Sequence, residues 1–283
     1  MNDLVPRPNA DEGEPGDRAR AFVAGGGKVV GGVAGAAVGL LGGPVAALAG
    51  GAAGAGLGEI LASAGVEFYD RLLAPRQSVR AAGALAVATV EIDHRLREGQ
   101  VPREDFTEAA TEDSDAAEIL EGTLITAANS YEQRKVPYIG KFYANLAFDA
   151  AISPSYANLL LKLLDRLTYG QLRVMATLGD SRYLHELIQV GAERNEGAFR
   201  SDLDVIAELD ELATMALVGV AQPDGSVVPP TSVVEGGSWG RMDLFLARLT
   251  ATGQLVHDLL GVTDMSDGER DSVVEGLRGE RDS

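Results

Sequence analysis

From Val29 to Gly58 the chain carries no charged residue, and in and beside that run glycine returns every fourth position, at Gly27, Gly31, Gly35, Gly39 and Gly43, then at Gly50, Gly54 and Gly58. On a helix such positions form nearly one stripe, and a stripe without side chains lets another backbone approach closely. Gly42-Gly43-Pro44 interrupts the run, because proline cannot continue the first helix but can begin a second. The pattern predicts a helical hairpin over residues 18–66, with two arms of about 20 residues each, the length that spans a hydrocarbon core.

Elsewhere the apolar positions recur at intervals of three and four. Ala81 to Leu96 and Ala117 to Tyr131 read as amphipathic helices. Ser153-Pro154 places a capping residue before proline, followed by Leu159, Leu160, Leu163, Leu164 and Leu167 on one expected face. Thr168 with Gln171, and Ser201 with Asp204, have the spacing of capping boxes. Pro223-Asp224-Gly225, flanked by Val218 and Val220 and by Val227 and Val228, predicts a β-hairpin. The fold class expected is mainly α: a helical bundle with an N-terminal Gly/Ala hairpin and a small C-terminal β-hairpin. Its segments are an acidic disordered arm (1–17), the hairpin (18–66), a helical domain (67–150), a second helical domain (151–262) and an acidic disordered tail (263–283).

Within that second domain, helices at 168–178, 181–191 and 202–217, a hairpin at 218–234 and a helix containing Leu249-Thr250 and Gly253 resemble a winged-helix module. The resemblance implies a third helix that enters the major groove. Here that helix departs from the pattern, carrying Asp202, Asp204, Glu208, Asp210 and Glu211 without a lysine or arginine. Five carboxylates repel phosphate, so the resemblance implies dimerisation or protein contact instead. The fourfold glycine spacing resembles the glycine zippers of membrane-inserting segments.

Charge and composition narrow the function classes. The net charge is −18, with no basic patch, so nucleic acid is not an expected partner. There is no cysteine, which removes disulfides, thiolate metal sites and cysteine nucleophiles. An acidic, proline-bearing start without an apolar core following a basic region disfavours a signal peptide. Arg18, Arg20 and Lys28 precede the hairpin, and Arg71, Arg76 and Arg80 follow it, an arrangement that keeps both ends cytoplasmic with the tip inserted in the inner membrane. About eight strongly apolar residues in the first arm, worth roughly −0.3 to −0.6 kcal/mol each, stand against about +3 kcal/mol for a central lysine. Conditional or oligomer-assisted insertion is therefore expected rather than spontaneous insertion.

Three patterns suggest chemistry and fail on context. Gly25-Gly26-Gly27-Lys28 has Phe22 where a phosphate loop needs glycine and Val29 where it needs a hydroxyl. Gly236-Gly237-Ser238-Trp239-Gly240 matches a nucleophile elbow, but no alternating strand-helix units precede it to build the parallel sheet an elbow requires. Glu91 and His94 form one E-x-x-H pair where a di-iron bundle needs two. Residues 130–135 read as a solvated helix end. The expectation is a non-enzymatic cytoplasmic homo-oligomer, without cofactor or metal, whose hairpin associates conditionally with membrane lipid as a pore-forming defence effector. The alternative is a soluble scaffold or adaptor with the hairpin as its core and the acidic module as its protein-binding part.

Overall fold

The computed structural model describes residues 75–106, 115–193, 203–228 and 246–278. The protein is mainly helical in these residues, with a small three-stranded antiparallel sheet. The helices are α1 (Pro75–Arg97), α2 (Asp115–Asn129), α3 (Val136–Leu146), α4 (Pro154–Arg166), α5 (Tyr169–Gly179), α6 (Ser181–Glu193), α7 (Leu203–Thr214), α8 (Ala251–Leu260) and α9 (Asp267–Arg278). The strands are β1 (Val218–Ala221), β2 (Val227–Val228) and β3 (Ala247–Leu249).

Two helices act as hubs. Against α1 lie α2 and α3, and Ala81, Ala84, Leu85, Ala88 and Ile92 face the shared core. The approach of α1 to α3 is close because position 140 is glycine: a β-carbon there would come within 2.4 Å of the Ala84 carbonyl oxygen. The second hub, α5, packs on α6, α7, α8 and α9 and on β3. A bridge joins the two groups. Asn145 on α3 donates to the Leu259 and Asp258 carbonyls at the end of α8, at 2.7 and 3.1 Å, and accepts a hydrogen bond from Arg95 of α1. Carbonyls of a last helical turn have few donors within the helix, so an amide from a neighbouring helix adds to the Gly261 amide that also reaches the Asp258 carbonyl at 3.1 Å. One contiguous core runs from Ala81 to Leu277 and crosses residue 150 without a break.

Local signals are reproduced where both partners lie within a few residues. Ser153 caps α4 by accepting from the Tyr156 amide at 3.3 Å. Thr168 and Gln171 form the reciprocal capping box of α5, with both bonds at 3.0 Å. The hairpin pairs Val220 with Val228 and Ala221 with Val227 around Gly225, whose φ of +84° suits glycine.

Three expectations are corrected. Leu159 is 58% exposed while Leu161 is buried, because α4 presents Leu161 to α2 beside Gly122. Leu249 belongs to β3 rather than to a helix; β3 pairs Val218 with Leu249 and Val220 with Ala247, and places β1 at the centre of the order β2-β1-β3. The helix that follows begins at Ala251, where Thr250 caps it through the Gly253 amide at 3.0 Å. Finally, the segment expected as a disordered acidic tail contains α9, with Met265, Val273, Val274 and Leu277 buried against the α5 group. Asp267, Asp271 and Glu275 are exposed and Glu269 is half-buried, while the aliphatic residues line the inner face, so net charge concealed a docking helix.

Candidate functional site

The predicted packing glycines, Gly27, Gly31, Gly35, Gly39, Gly43, Gly50, Gly54 and Gly58, lie outside the described residues, as do Asp202, Ser201 and the stretch from Gly236 to Gly240. Of the metal-pattern pair, His94 is an exposed residue whose Nδ1 lies 3.6 Å from Glu98. Among the described residues, no group of three or more His, Asp or Glu side chains is placed to hold a metal ion.

What the structure does bring together is a polar seam at the start of α5. Only Leu167 and Thr168 separate the end of α4 from the start of α5, so a partly negative helix end abuts a partly positive one. Each end receives its complement from the segment before α3. Lys135 donates from Nζ to the Asp165 carbonyl at 3.1 Å, and Glu132 accepts the Tyr169 amide at 2.6 Å. Two carboxylates of α7 complete the seam: Glu208 accepts the Thr168 hydroxyl at 2.9 Å and Glu211 accepts the Gln171 side-chain amide at 2.7 Å.

These contacts change the protonation preferences. Burial is the largest influence on Lys135, which is 3% exposed, and it holds the ammonium below the usual lysine range against the opposing pull of Asp165 and Glu132. Burial likewise pushes the Glu208 carboxyl up; the Thr168 hydrogen bond works against the shift and the Glu211 charge adds to it. The expectation of a solvated surface at residues 130–135 therefore holds for Tyr131, which is almost fully exposed, and fails for Lys135 and Ser130, which are buried. Nor is the acidity of α7 simply a repelling face, since two of its carboxylates turn inward to accept hydrogen bonds from Thr168 and Gln171.

On its far side the seam continues into α9. The Tyr169 hydroxyl donates to Glu269, Arg173 donates to the Glu269 carbonyl at 3.3 Å and to Ser272, and the Tyr183 hydroxyl donates to Asp271 at 2.8 Å. Burial, with the Glu269 and Asp264 charges, pushes the neighbouring Tyr138 hydroxyl up to about 12. All of these groups are engaged with other protein groups, so the chemistry of the seam is that of a fastening between helices.

Sequence reasoning missed Lys135, Glu208 and Glu211 as parts of one arrangement. Their partners are 30 to 40 residues away in the chain, beyond the reach of any local motif. The available signal was the capping box itself, which marks where carboxylates are favourable.

A second feature concerns α1. On a helix of 3.6 residues per turn, Val79, Ala82 and Ala86 lie on the side away from Ala81, Ala84, Leu85, Ala88 and Ile92. None of these three belongs to the contiguous core, yet they are only 9%, 1% and 7% exposed, and Gly83 beside them is buried too.

No protein-family model, no curated protein and no solved structure matches the chain.

Proposed function

We propose that this is a non-enzymatic, oligomer-forming protein whose hairpin of residues 18–66 associates with a membrane and inserts into it conditionally. In biological terms it would act as a pore-forming, membrane-disrupting effector, of the kind bacterial defence uses, held in the cytoplasm until triggered. One observation carries this reading: thirty consecutive residues, Val29 to Gly58, without a charge and with glycine at fourfold spacing, flanked on both sides by arginine and lysine. Among the described residues no helix is long and apolar enough to cross a membrane. The core running from Ala81 to Leu277 supports a conditional mechanism, because the body retains an apolar interior of its own when the hairpin leaves. The residues from about 160 to 260, read as a winged-helix-like unit with an acidic third helix, would then serve protein contact rather than DNA binding.

The test is flotation with lipid vesicles, comparing the full chain with a variant lacking residues 22–62. Vesicle association of the full chain, lost in the deletion while the helical circular dichroism persists, is the expected result. Equal behaviour of the two chains would refute the membrane role. Collapse of the deletion variant into an insoluble, unfolded product would favour the soluble scaffold, in which the hairpin is core.

A further inference from the structure

Helix α9 meets the body through two kinds of contact. Val273, Val274 and Leu277 are buried on its inner face, and α7 adds Val205 beside Gly276. Beside that apolar strip runs a line of carboxylates, each facing a donor of another helix. Asp267 accepts from Arg182 of α6 at 3.4 Å, Glu269 accepts the Tyr169 hydroxyl of α5, and Asp271 accepts the Tyr183 hydroxyl of α6 at 2.8 Å. Arg182 also holds Asp180, at the end of α5, at 2.8 Å.

We infer that α9 is an acid-released latch: these carboxylates fasten it to α5 and α6, and their protonation frees it before the rest of the fold opens. The inference stands apart from the membrane reading, since it uses only the contacts of α9 with its neighbours.

A single exposed pair contributes little, but three successive ones on a helix of 12 residues weaken together when acid removes their charges. The groups around each carboxylate fix the sign. Facing Glu269 are Arg134, Tyr138, Tyr169 and Arg173. Facing Asp267 and Asp180 are Arg182 of α6 and Arg270 of α9, and Asp271 faces Tyr183. Burial, the largest influence on Glu269, raises its carboxyl, but the hydrogen bonds from Tyr169 and Ser266 and the Arg134 charge outweigh it and hold the group below the usual range. The Arg182 hydrogen bond holds Asp180 low as well. A carboxyl depressed in the docked state contributes in full above its free value, about 3.9 for aspartate and about 4.3 for glutamate, and the contribution is lost as pH falls further. Glu208 has the reverse sign, because burial, with the Glu211 charge, raises it, so the contact of α7 with α5 strengthens in the same acid. The order of release follows: α9 leaves while α7 stays.

The absence of native cysteine makes the test direct. In the full chain, Val274→Cys reports on α9 and Leu124→Cys on the interior of α2, while Val101→Cys, at a position 77% exposed, gives the reactivity of a free thiol at each pH. Labelling with dithiodipyridine, which reacts with thiols in acid, is followed from pH 7 to pH 3. Relative to Val101→Cys, the Val274→Cys rate should rise about tenfold or more below about pH 4, while Leu124→Cys keeps its protection. Labelling of the two buried positions in step, or protection of Val274→Cys down to pH 3, would overturn the latch. A neutral version takes pH out of the question. Asp267→Asn, Glu269→Gln and Asp271→Asn together, in the Val274→Cys chain, should give at pH 7 the labelling that the parent shows in acid. Leu124→Cys in the same triple background should remain protected, and its exposure would show a general loosening instead of a release. A triple variant in which Val274→Cys is as well protected as in its parent would mean that these carboxylates do not hold α9.

Discussion

The imidazole of His257 lies against the backbone of Gly179, so that a β-carbon at position 179 would come within 2.3 Å of Nε2. His257 is 2% exposed and its Nδ1 is fixed at 2.8 Å from Asp258, which leaves the ring no room to swing away. Gly179 ends α5 and His257 sits on α8, so this contact sets how closely the second hub approaches its neighbour. Gly179→Ala is expected to destabilise the protein by about 1–3 kcal/mol despite its higher helix propensity, as overpacking does. In a His257→Ala background the same substitution should cost much less. Urea denaturation of the four chains of this cycle checks both statements, and additivity would show that the contact is not what limits position 179.

The junction between α7 and β1 carries the only positive φ of a non-glycine residue among those described, 57° at Ala216. The amides of Ala216 and Leu217 bond back to the carbonyls of Ala213 and Leu212, both at 2.9 Å, which is the Schellman pattern with alanine where glycine is usual. Ala216→Gly removes the β-carbon from a left-handed residue. A gain of about 0.5–1 kcal/mol in unfolding free energy is expected, and a loss in thermal melts would contradict it.

Helix α9 contributes Val273, Val274 and Leu277 to the core and fastens through Tyr169 and Tyr183. Deletion of residues 266–283 should therefore cost several kcal/mol, at about 1.5–3 kcal/mol for each aliphatic side chain uncovered. A chain ending at Met265 with an unchanged denaturation midpoint would mean that the helix adds nothing to the fold.

Glu208 offers a pH test with an uncommon sign. Its carboxyl is raised in the folded protein, chiefly by burial, so folding favours the protonated form. Its contribution to stability therefore grows as pH falls through the folded value, and at neutral pH its charge is a cost. Asp180 has the usual sign: the Arg182 hydrogen bond lowers its pKa, so its contribution is lost as pH falls. Glu208→Gln, which mimics the protonated group, should raise the melting temperature at pH 7 and leave it unchanged or lower at pH 4. A uniform loss at both values would show that the ionised carboxylate is what the α5 terminus requires.

What the residues alone determined is local. The Ser153 cap, the Thr168–Gln171 box and the turn at Gly225 depend on partners within three residues, and the geometry of one turn leaves each a single satisfactory arrangement. The helix positions follow from spacings of three and four for the same reason. Which face of a helix is buried is a different question, decided by what it meets. Leu159 and Leu161 both lie among the leucines of α4, yet only Leu161 is buried, because Gly122 on α2 makes room for it. Lys135 became an interior residue because two helix ends happen to meet above it, and Glu208 and Glu211 turned inward because the Thr168 hydroxyl and the Gln171 amide offer them donors there. The aliphatic face of α9 was present in Val273, Val274 and Leu277, but composition averages over a segment while burial acts on single positions. Burial and charge complementarity depend on neighbours tens of residues away, so the tertiary structure decided them.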